Sequence, residues 1–484
     1  MPELSMKTKL LLLAALAVFL ISCPGSNTPR EGFSVAWNYD TSGYLEVCGC
    51  SAHQLGGLPR RASKLEALES AGPVLKIEGA HFFEEAGTFQ MMKGKSIIEA
   101  LDRMDYDAIV IGVREAQQGA SELDSLRDLT DIPFISANVM SEGKLYASEL
   151  ETFSIAGNQV ALTAVSQPEF ASFELPEGMS VSDPDTALDA ALKKAAKADC
   201  RIVCLEGDNL WVQSMLKQYA GRADLFLTGD RDDVAASLEF GNTPPVLNNW
   251  KLGRYLGFIS MDPLEQGGYI ASGINLPLEE DIADNEAVLA ILEEFKGGLK
   301  DVFSEIMPFD KDAIYMPPEY CMPCHQDEYD SYINSGHSRA RITLENDNQL
   351  YNLDCIKCHI VYDPGENELR PINCISCHTN ITDMHVYDAM DDPDNVPRPD
   401  PPVTSYSYDF CVKCHDEFNS TPFRDHWPQY VNRIFHGGDM TPAEKAAVLL
   451  GIDITADPPG HEMQADGEAA DAGEADQASG SDAH

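Results

Sequence analysis

The 484-residue chain carries 79 Asp and Glu against 34 Lys and Arg, a formal charge of −45. That length exceeds what one hydrophobic core usually holds and predicts two or three domains, while the charge excludes non-specific binding to nucleic acid. With 44% hydrophobic residues the chain can build packed cores, so it is no wholly disordered acidic polymer.

At the N-terminus, Lys7 and Lys9 precede an apolar run, Leu10 to Ile21, that ends in Ser22-Cys23-Pro24. Such a run is short for a bilayer span and suits a signal-peptide core. Leu20-Ile21-Ser22-Cys23 resembles the lipobox of bacterial lipoproteins, which implies a lipid on Cys23. Residues 1–23 are then the signal peptide and 24–32 a linker. A signal cleaved near Cys23 without lipidation is the alternative. Both readings take the protein out of the cytoplasm, and the first anchors it to a membrane.

Residues 33–307 alternate strand and helix signals. Phe33–Trp37, Val74–Ile77, Ala108–Ile111, Val160–Val165, Arg201–Leu205 and Leu225–Thr228 are short apolar runs. Between them lie helical patterns at Ala62–Ser70, Ser96–Met104 and Ala187–Ala196, and an amphipathic helix is expected over Asp284–Met307. Strands separated by helices predict an α/β layered domain.

Three segments carry a family likeness. Asp105-Tyr106-Asp107-Ala108-Ile109-Val110-Ile111-Gly112-Val113-Arg114-Glu115 resembles the strand leading into the Gly-Asn-His-Glu motif of calcineurin-type metallophosphatases of the periplasmic 5′-nucleotidase family. Ile132–Val139 resembles the strand that follows, and Asp224–Asp230 stands where the family has Gly-Gly-His-Ser-His. The resemblance implies an α/β sandwich and fails at the metal ligands. Val113-Arg114 replaces Asn-His, Glu78-Gly79-Ala80-His81 stands where a metal-binding Asp is expected, and Glu206 and Gly229-Asp230-Arg231-Asp232 replace later histidines. A two-metal phosphatase needs a dense donor set to hold its ions, and Arg114 adds a fixed positive charge that opposes one. The domain is therefore expected to be catalytically silent, with Glu78, His81 and Glu206 as scattered surface polar residues; a one-ion site is the alternative.

Cys48-Gly49-Cys50, followed by Gly56-Gly57-Leu58-Pro59-Arg60-Arg61, resembles a variant found in metallophosphatase-like domains attached to bacterial cytochromes. With eight haem cysteines and Cys23 set aside, Cys48, Cys50, Cys200 and Cys204 remain. Outside the cytoplasm, four spare cysteines most often form two disulfides. A thiol/disulfide redox centre and a thiol-bound metal are the sharper alternatives. Arg60 and Arg61 are expected to balance nearby acids rather than to bind an anion.

Pro308 and Pro317-Pro318 mark a linker into residues 308–450, where the composition changes. Cys321-Met322-Pro323-Cys324-His325, Cys355-Ile356-Lys357-Cys358-His359, Cys374-Ile375-Ser376-Cys377-His378 and Cys411-Val412-Lys413-Cys414-His415 are all C-x-x-C-H. Random order would give roughly 0.01 such motifs in a chain of this composition. Two thiols on one helical turn suit thioethers to haem vinyl groups, and the next residue supplies an axial nitrogen. Four covalently attached haem c groups are expected, with His325, His359, His378 and His415 as proximal ligands. His337, His385, His426 and His436 are the candidate distal ligands.

These motifs, Ser335-Gly336-His337 and the short interval from Cys377-His378 to His385 resemble the multihaem cytochrome c family typified by the tetrahaem electron carrier of hydroxylamine oxidation. The resemblance covers about residues 315–437 and implies a mostly α, loop-rich domain in which stacked haems pass single electrons. Residues 451–484 form an acidic tail whose composition cannot bury a core and is expected to be disordered.

The expected protein is a membrane-anchored, extracytoplasmic tetrahaem electron carrier whose partners are redox proteins with cationic surfaces. A haem enzyme acting on a small nitrogen or sulfur compound, and residual hydrolase or thiol activity in the first domain, are the competing readings. Assembly with other cytochromes is a further one.

Overall fold

A computed structural model describes residues 30–47, 55–168, 170, 173–229, 246–248, 252–310, 315–378, 385, 391–392, 411–416, 423, 426 and 430. Cys23 with the signal segment, Cys48, Cys50, Asp230, Arg231, Asp232, His436 and residues 451–484 lie outside the described residues. No described helix is long and apolar enough to cross a membrane. The chain divides into two compact units, and the segment Ile342–Lys357 joins the first.

In the first unit the strands run β1 (Phe33–Asn38), β2 (Val74–Glu78), β3 (Ala108–Val110), β4 (Phe134–Ile135), β5 (Val139–Ser141), β6 (Lys144–Leu145) and β7 (Glu151–Ile155). They continue as β8 (Asn158–Ser166), β9 (Met179–Val181), β10 (Cys200–Glu206), β11 (Leu225–Thr228), β12 (Val246–Asn248), β13 (Tyr255–Pro263) and β14 (Tyr269–Pro277). One sheet has the order β14-β13-β1-β2-β3-β4 and a second β12-β11-β10-β8-β7. Within each, the strands joined through helices pair in parallel, and hairpin partners pair antiparallel. A small sheet, β6-β5-β9, completes the unit.

Side-chain alternation explains the layering. Val35 and Trp37 of β1, Leu75 and Ile77 of β2, Leu162 and Ala164 of β8, Ile202 and Cys204 of β10, and Leu225 and Leu227 of β11 form one buried cluster between the two sheets. The opposite faces pack on helices. Ala36 and Ile109 meet Leu65, Ile97, Leu101, Leu292 and Leu299, while Val203, Leu205 and Phe226 meet Leu188, Leu192, Val212 and Leu216. The result is a helix–sheet–sheet–helix sandwich, the α/β layering expected from the sequence.

Helix ends follow local chemistry. Asp183 and Asp208 accept the N–H groups of Thr186 and Trp211, and Asn285 accepts those of Ala287 and Val288 to start helix Glu286–Ile306. The apolar runs of the sequence all became strands. The β13–β14 hairpin is an addition: β13 buries Leu256, Ile259 and Met261, while β14 is mostly half-buried and mixes polar with apolar residues.

The second unit is built differently. Its described elements are short: helices Gln326–Ile333 and Cys374–Cys377, and a hairpin of Ile360–Asp363 with Glu368–Pro371. All three hydrophobic clusters found among the described residues lie in the first unit.

Candidate functional site

Parallel strands end on a common edge, and in the first unit that edge gathers charge. Asp40, Thr41 and Ser42 follow β1, Glu78 ends β2 with His81 just beyond, Gly112, Val113 and Glu115 follow β3, Ser166 ends β8, and Glu206 ends β10. Ladder register aligns Asn38 with Glu78, and Ser166 with Glu206. Open α/β sheets place their sites at this edge.

Two ion-pair systems occupy it. Arg61 Nη1 donates to Glu78 Oε2 at 2.7 Å, its Nη2 to Thr41 Oγ1 at 3.0 Å, and Thr41 Oγ1 to Glu78 Oε1 at 2.6 Å. Neither ionic side chain is more than 1% exposed. In the second system His81 Nε2 lies 2.7 Å from Glu206 Oε1, and its Nδ1 lies 3.8 Å from the Asp40 carboxylate. Burial disfavours the charged ring, but Asp40 and Glu206 outweigh it and push His81 up to about 9. The imidazole is therefore a buried cation at neutral pH. Burial works to raise Glu206 too, yet His81 and the N–H of Val113, at 2.8 and 3.1 Å from its two oxygens, hold it below its ordinary value. Glu115 accepts the N–H groups of Phe82 and Gly112, and burial pushes it up to about 7.

The site is tightly fitted. The His81 ring stacks on Phe170 with centroids 5.4 Å apart and lies 5.1 Å from Tyr39. A Cβ on Gly229 would come within 1.7 Å of Tyr39 Cδ1, so only glycine fits beside that ring. Asp40, Ser42 and His81 all take left-handed backbone, with φ of 57°, 48° and 66°. Such conformations cost on the order of 1–3 kcal/mol each and persist only where surrounding contacts impose them.

Glu78, His81 and Glu206, expected as scattered surface polar residues, are instead at most 2% exposed and paired. The sequence signal was their position, each directly at or just past the end of an apolar strand run. Arg61 balances an acid as expected, and Arg60 lies 3.9 Å from Asp284. The Arg114 guanidinium sits over the Phe173 ring at 4.9 Å. Among the described residues no group of three or more His, Cys, Asp or Glu is placed to hold a metal ion.

The comparisons with known proteins bear on this same half of the chain. No family model matches. The chain is 22% identical over 285 residues to bovine (Bos taurus) 5′-nucleotidase, covering 53% of this chain and 50% of that protein. It is 24% identical over 286 residues to snake venom 5′-nucleotidase from Naja atra, covering 52% and 53%. The N-terminal half is 5′-nucleotidase-like. Among solved structures, the 5′-nucleotidase precursor from Thermus thermophilus gives a TM-score of 0.46 at 14% identity, over 56% of this chain and 59% of that one. The chain spans about half the length of the curated relatives it matches. Within this 5′-nucleotidase-like half, Arg61 and His81 put protein cations among the strand-end carboxylates.

Cys200 and Cys204 correct the disulfide expectation. Both are free, buried thiols on one face of β10. Four residue steps along the strand separate them by about 13 Å, well beyond disulfide reach. Burial is the main cause that raises both thiols far above their ordinary value, which disfavours the reactive thiolate. Iodoacetamide at pH 8 is expected to leave both unlabelled in the native protein and to label both in denaturant; native labelling would contradict this.

The C-x-x-C-H motifs all sit on helical turns. The N–H groups of His325, His378 and His415 donate to the carbonyls of Cys321, Cys374 and Cys411 at 2.9, 2.8 and 2.9 Å. Cys355, Cys358 and His359 lie in helix Leu353–His359. Each pair of thiols thus sits on one helical turn, the form that thioether attachment to a porphyrin requires. All eight motif cysteines are at least partly exposed. His359 Nδ1 lies 3.1 Å from the Ala340 carbonyl, which can only accept, so Nδ1 carries the proton and Nε2 the lone pair. The His415 ring stacks on Phe423 with centroids 4.4 Å apart, and His337 lies 6.1 Å from it. His385 is half-buried and His426 exposed. The donor set of each motif therefore fits haem c.

Proposed function

We propose that this protein is an extracytoplasmic tetrahaem c-type cytochrome that carries electrons between redox partners, anchored through lipid on Cys23. The carrying observation is that four C-x-x-C-H motifs, each wound on one helical turn, occur within one region of the chain. Cys321 and Cys324, Cys355 and Cys358, Cys374 and Cys377, and Cys411 and Cys414 hold the four groups. His325, His359, His378 and His415 are the proximal ligands; His337, His385, His426 and His436 supply distal nitrogens. Bound there, haem c supplies a one-electron iron couple. The chain's part is to fix each imidazole, as Ala340 does for His359, and to set the charge around it. The net charge of −45 favours cationic partners.

The 5′-nucleotidase-like half serves as a scaffold without two-metal hydrolysis, because Arg61 and His81 already pair with Glu78 and Glu206 at its strand ends. Whether it folds around metal or around its own ion pairs is a chemical question with a direct assay. Purified protein is expected to contain four haems per chain by the alkaline pyridine assay, and to lose one when both cysteines of a single motif become alanine. With added Mn²⁺ it is expected to release no phosphate from a nucleoside 5′-monophosphate above the blank. Protein without haem would overturn the cytochrome reading; hydrolysis abolished by Glu78→Ala would overturn the scaffold reading.

A further inference from the structure

One buried charge in the first unit serves neither the sandwich edge nor a helix end. Lys93, on helix Thr88–Arg103, has a side chain only 2% exposed, yet its ammonium donates to Asp354 Oδ2 at 2.6 Å. It lies 5.1 Å from the Phe89 ring centroid. Backbone also closes on it: a Cβ on Gly43 would stand 2.8 Å from Lys93 Nζ. Burying a charge is costly unless it is paired, so the surroundings hold this ammonium at one place.

Its partner is immediately followed by Cys355, the first cysteine of the second motif, with adjacent Cα atoms about 3.8 Å apart. The segment carrying both is clamped on the first unit at several points. Gln349 donates to Glu46 Oε2 at 2.6 Å, Asn348 to Glu293 Oε2 at 3.4 Å, and the Tyr351 ring meets Phe303 edge-on at 5.1 Å. Lys296 holds Glu46 and Glu293 together, at 2.6 and 2.8 Å. Leu353 packs on the helix-side core, and Ile356 is fully buried. Contacts with the 5′-nucleotidase-like half thus run on both sides of a charged pair that adjoins a motif cysteine.

We propose that Lys93 and Asp354 are positioning residues whose fixed opposite charges set the reduction potential of the haem held by the second motif. The inference rests on the haem reading of the motifs. An oxidised haem iron carries one positive charge more than a reduced one. A fixed cation nearby disfavours the oxidised form and raises the potential, and a fixed anion lowers it; solvent screens the buried Lys93 less than the part-exposed Asp354. The scaffold half therefore acts on electron flow by tuning one haem.

The test is spectroelectrochemical titration of the complete holoprotein. Lys93→Gln is expected to lower the midpoint of one haem, and Asp354→Asn to raise the midpoint of that same haem. The expected size is about tenfold in its reduction equilibrium, or about 59 mV for one electron. The component that moves is expected to vanish in the Cys355→Ala, Cys358→Ala protein. Opposite signs separate a charge effect from loosened packing, which has no reason to reverse sign. If Lys93→Gln fails to accumulate, Asp354→Asn alone decides by its sign, since Asp354 is 39% exposed and tolerates exchange. Four haems with unmoved midpoints, or shifts of one sign in both variants, would overturn the proposal. A chain without haem would instead overturn the cytochrome reading.

Discussion

Replacing Arg61 with alanine is expected to destabilise the 5′-nucleotidase-like half by about 3–5 kcal/mol, the usual cost of stranding one member of a buried ion pair. Glu78 has no exposed surface, and its two oxygens are held by Arg61 and Thr41. Burial already raises Glu78 while Arg61 and Thr41 pull it down, so without the guanidinium the carboxyl takes up a proton or draws in water. Urea denaturation followed by circular dichroism is the measurement. The double variant Arg61→Met, Glu78→Met removes both charges and fills similar volume, and is expected to recover most of the loss. A cost below about 1 kcal/mol for Arg61→Ala would mean that the pair is hydrated and that its apparent burial is irrelevant.

The arrangement pairs buried acids at the strand ends with cations of the chain itself. Asp40, Glu78 and Glu206 bring three carboxylates to one edge, and Glu115 adds a fourth that burial pushes up to about 7. A bound ion is one way to satisfy such a cluster. Here His81 and Arg61 supply the positive charge, and the N–H groups of Phe82, Gly112 and Val113 supply donors.

Much of this fold was legible because its central strands are buried on both faces and so read as continuous apolar runs: Val74–Ile77, Val160–Val165 and Leu225–Thr228 all became strands. Strands at the sheet margins were not, since β14 exposes Ile270 and Ile274 and interrupts its apolar residues with Ser272, Gly273 and Asn275. At the site, the departure of Val113-Arg114 from the Asn-His of the phosphatase pattern was readable, but the buried ion pairs were not. Arg61 and Glu78 lie 17 residues apart and meet only because a helix returns the chain beside β2. His81 and Glu206 lie 125 apart, at the ends of strands of different sheets, β2 and β10. Charge type is local information, whereas burial and pairing are set by topology. The C-x-x-C-H motifs are the reverse case, because the pattern that suggests attachment of a group through two thiols is contained in five consecutive residues.

Stability of the first unit is expected to fall by about 3 kcal/mol between pH 6.5 and 9, because of His81. Its folded value of about 9 lies above the ordinary 6.5. A group raised in the folded state contributes fully below its unfolded value, and that contribution is lost as pH climbs through the folded one. The difference, 9 − 6.5, is worth about 3 kcal/mol at 1.36 kcal/mol per unit. Glu115 acts with the same sign in a lower window: raised from 4.5 to about 7, it weakens the fold as it ionises beside Glu206. Glu206 acts oppositely. Held below its ordinary value by His81, it contributes above that value and loses the contribution in acid. The three together place the stability maximum on the acid side of neutrality, and coupling between His81 and Glu115 makes their shares less than additive. Urea midpoints from pH 4 to 9.5 check this. His81→Gln is expected to flatten the limb above pH 6.5, and Glu115→Gln the limb from 4.5 to 7. A wild-type profile flat from pH 6 to 9, or an unchanged alkaline slope in His81→Gln, would show that the imidazole is neutral and that Arg61 alone supplies the buried positive charge.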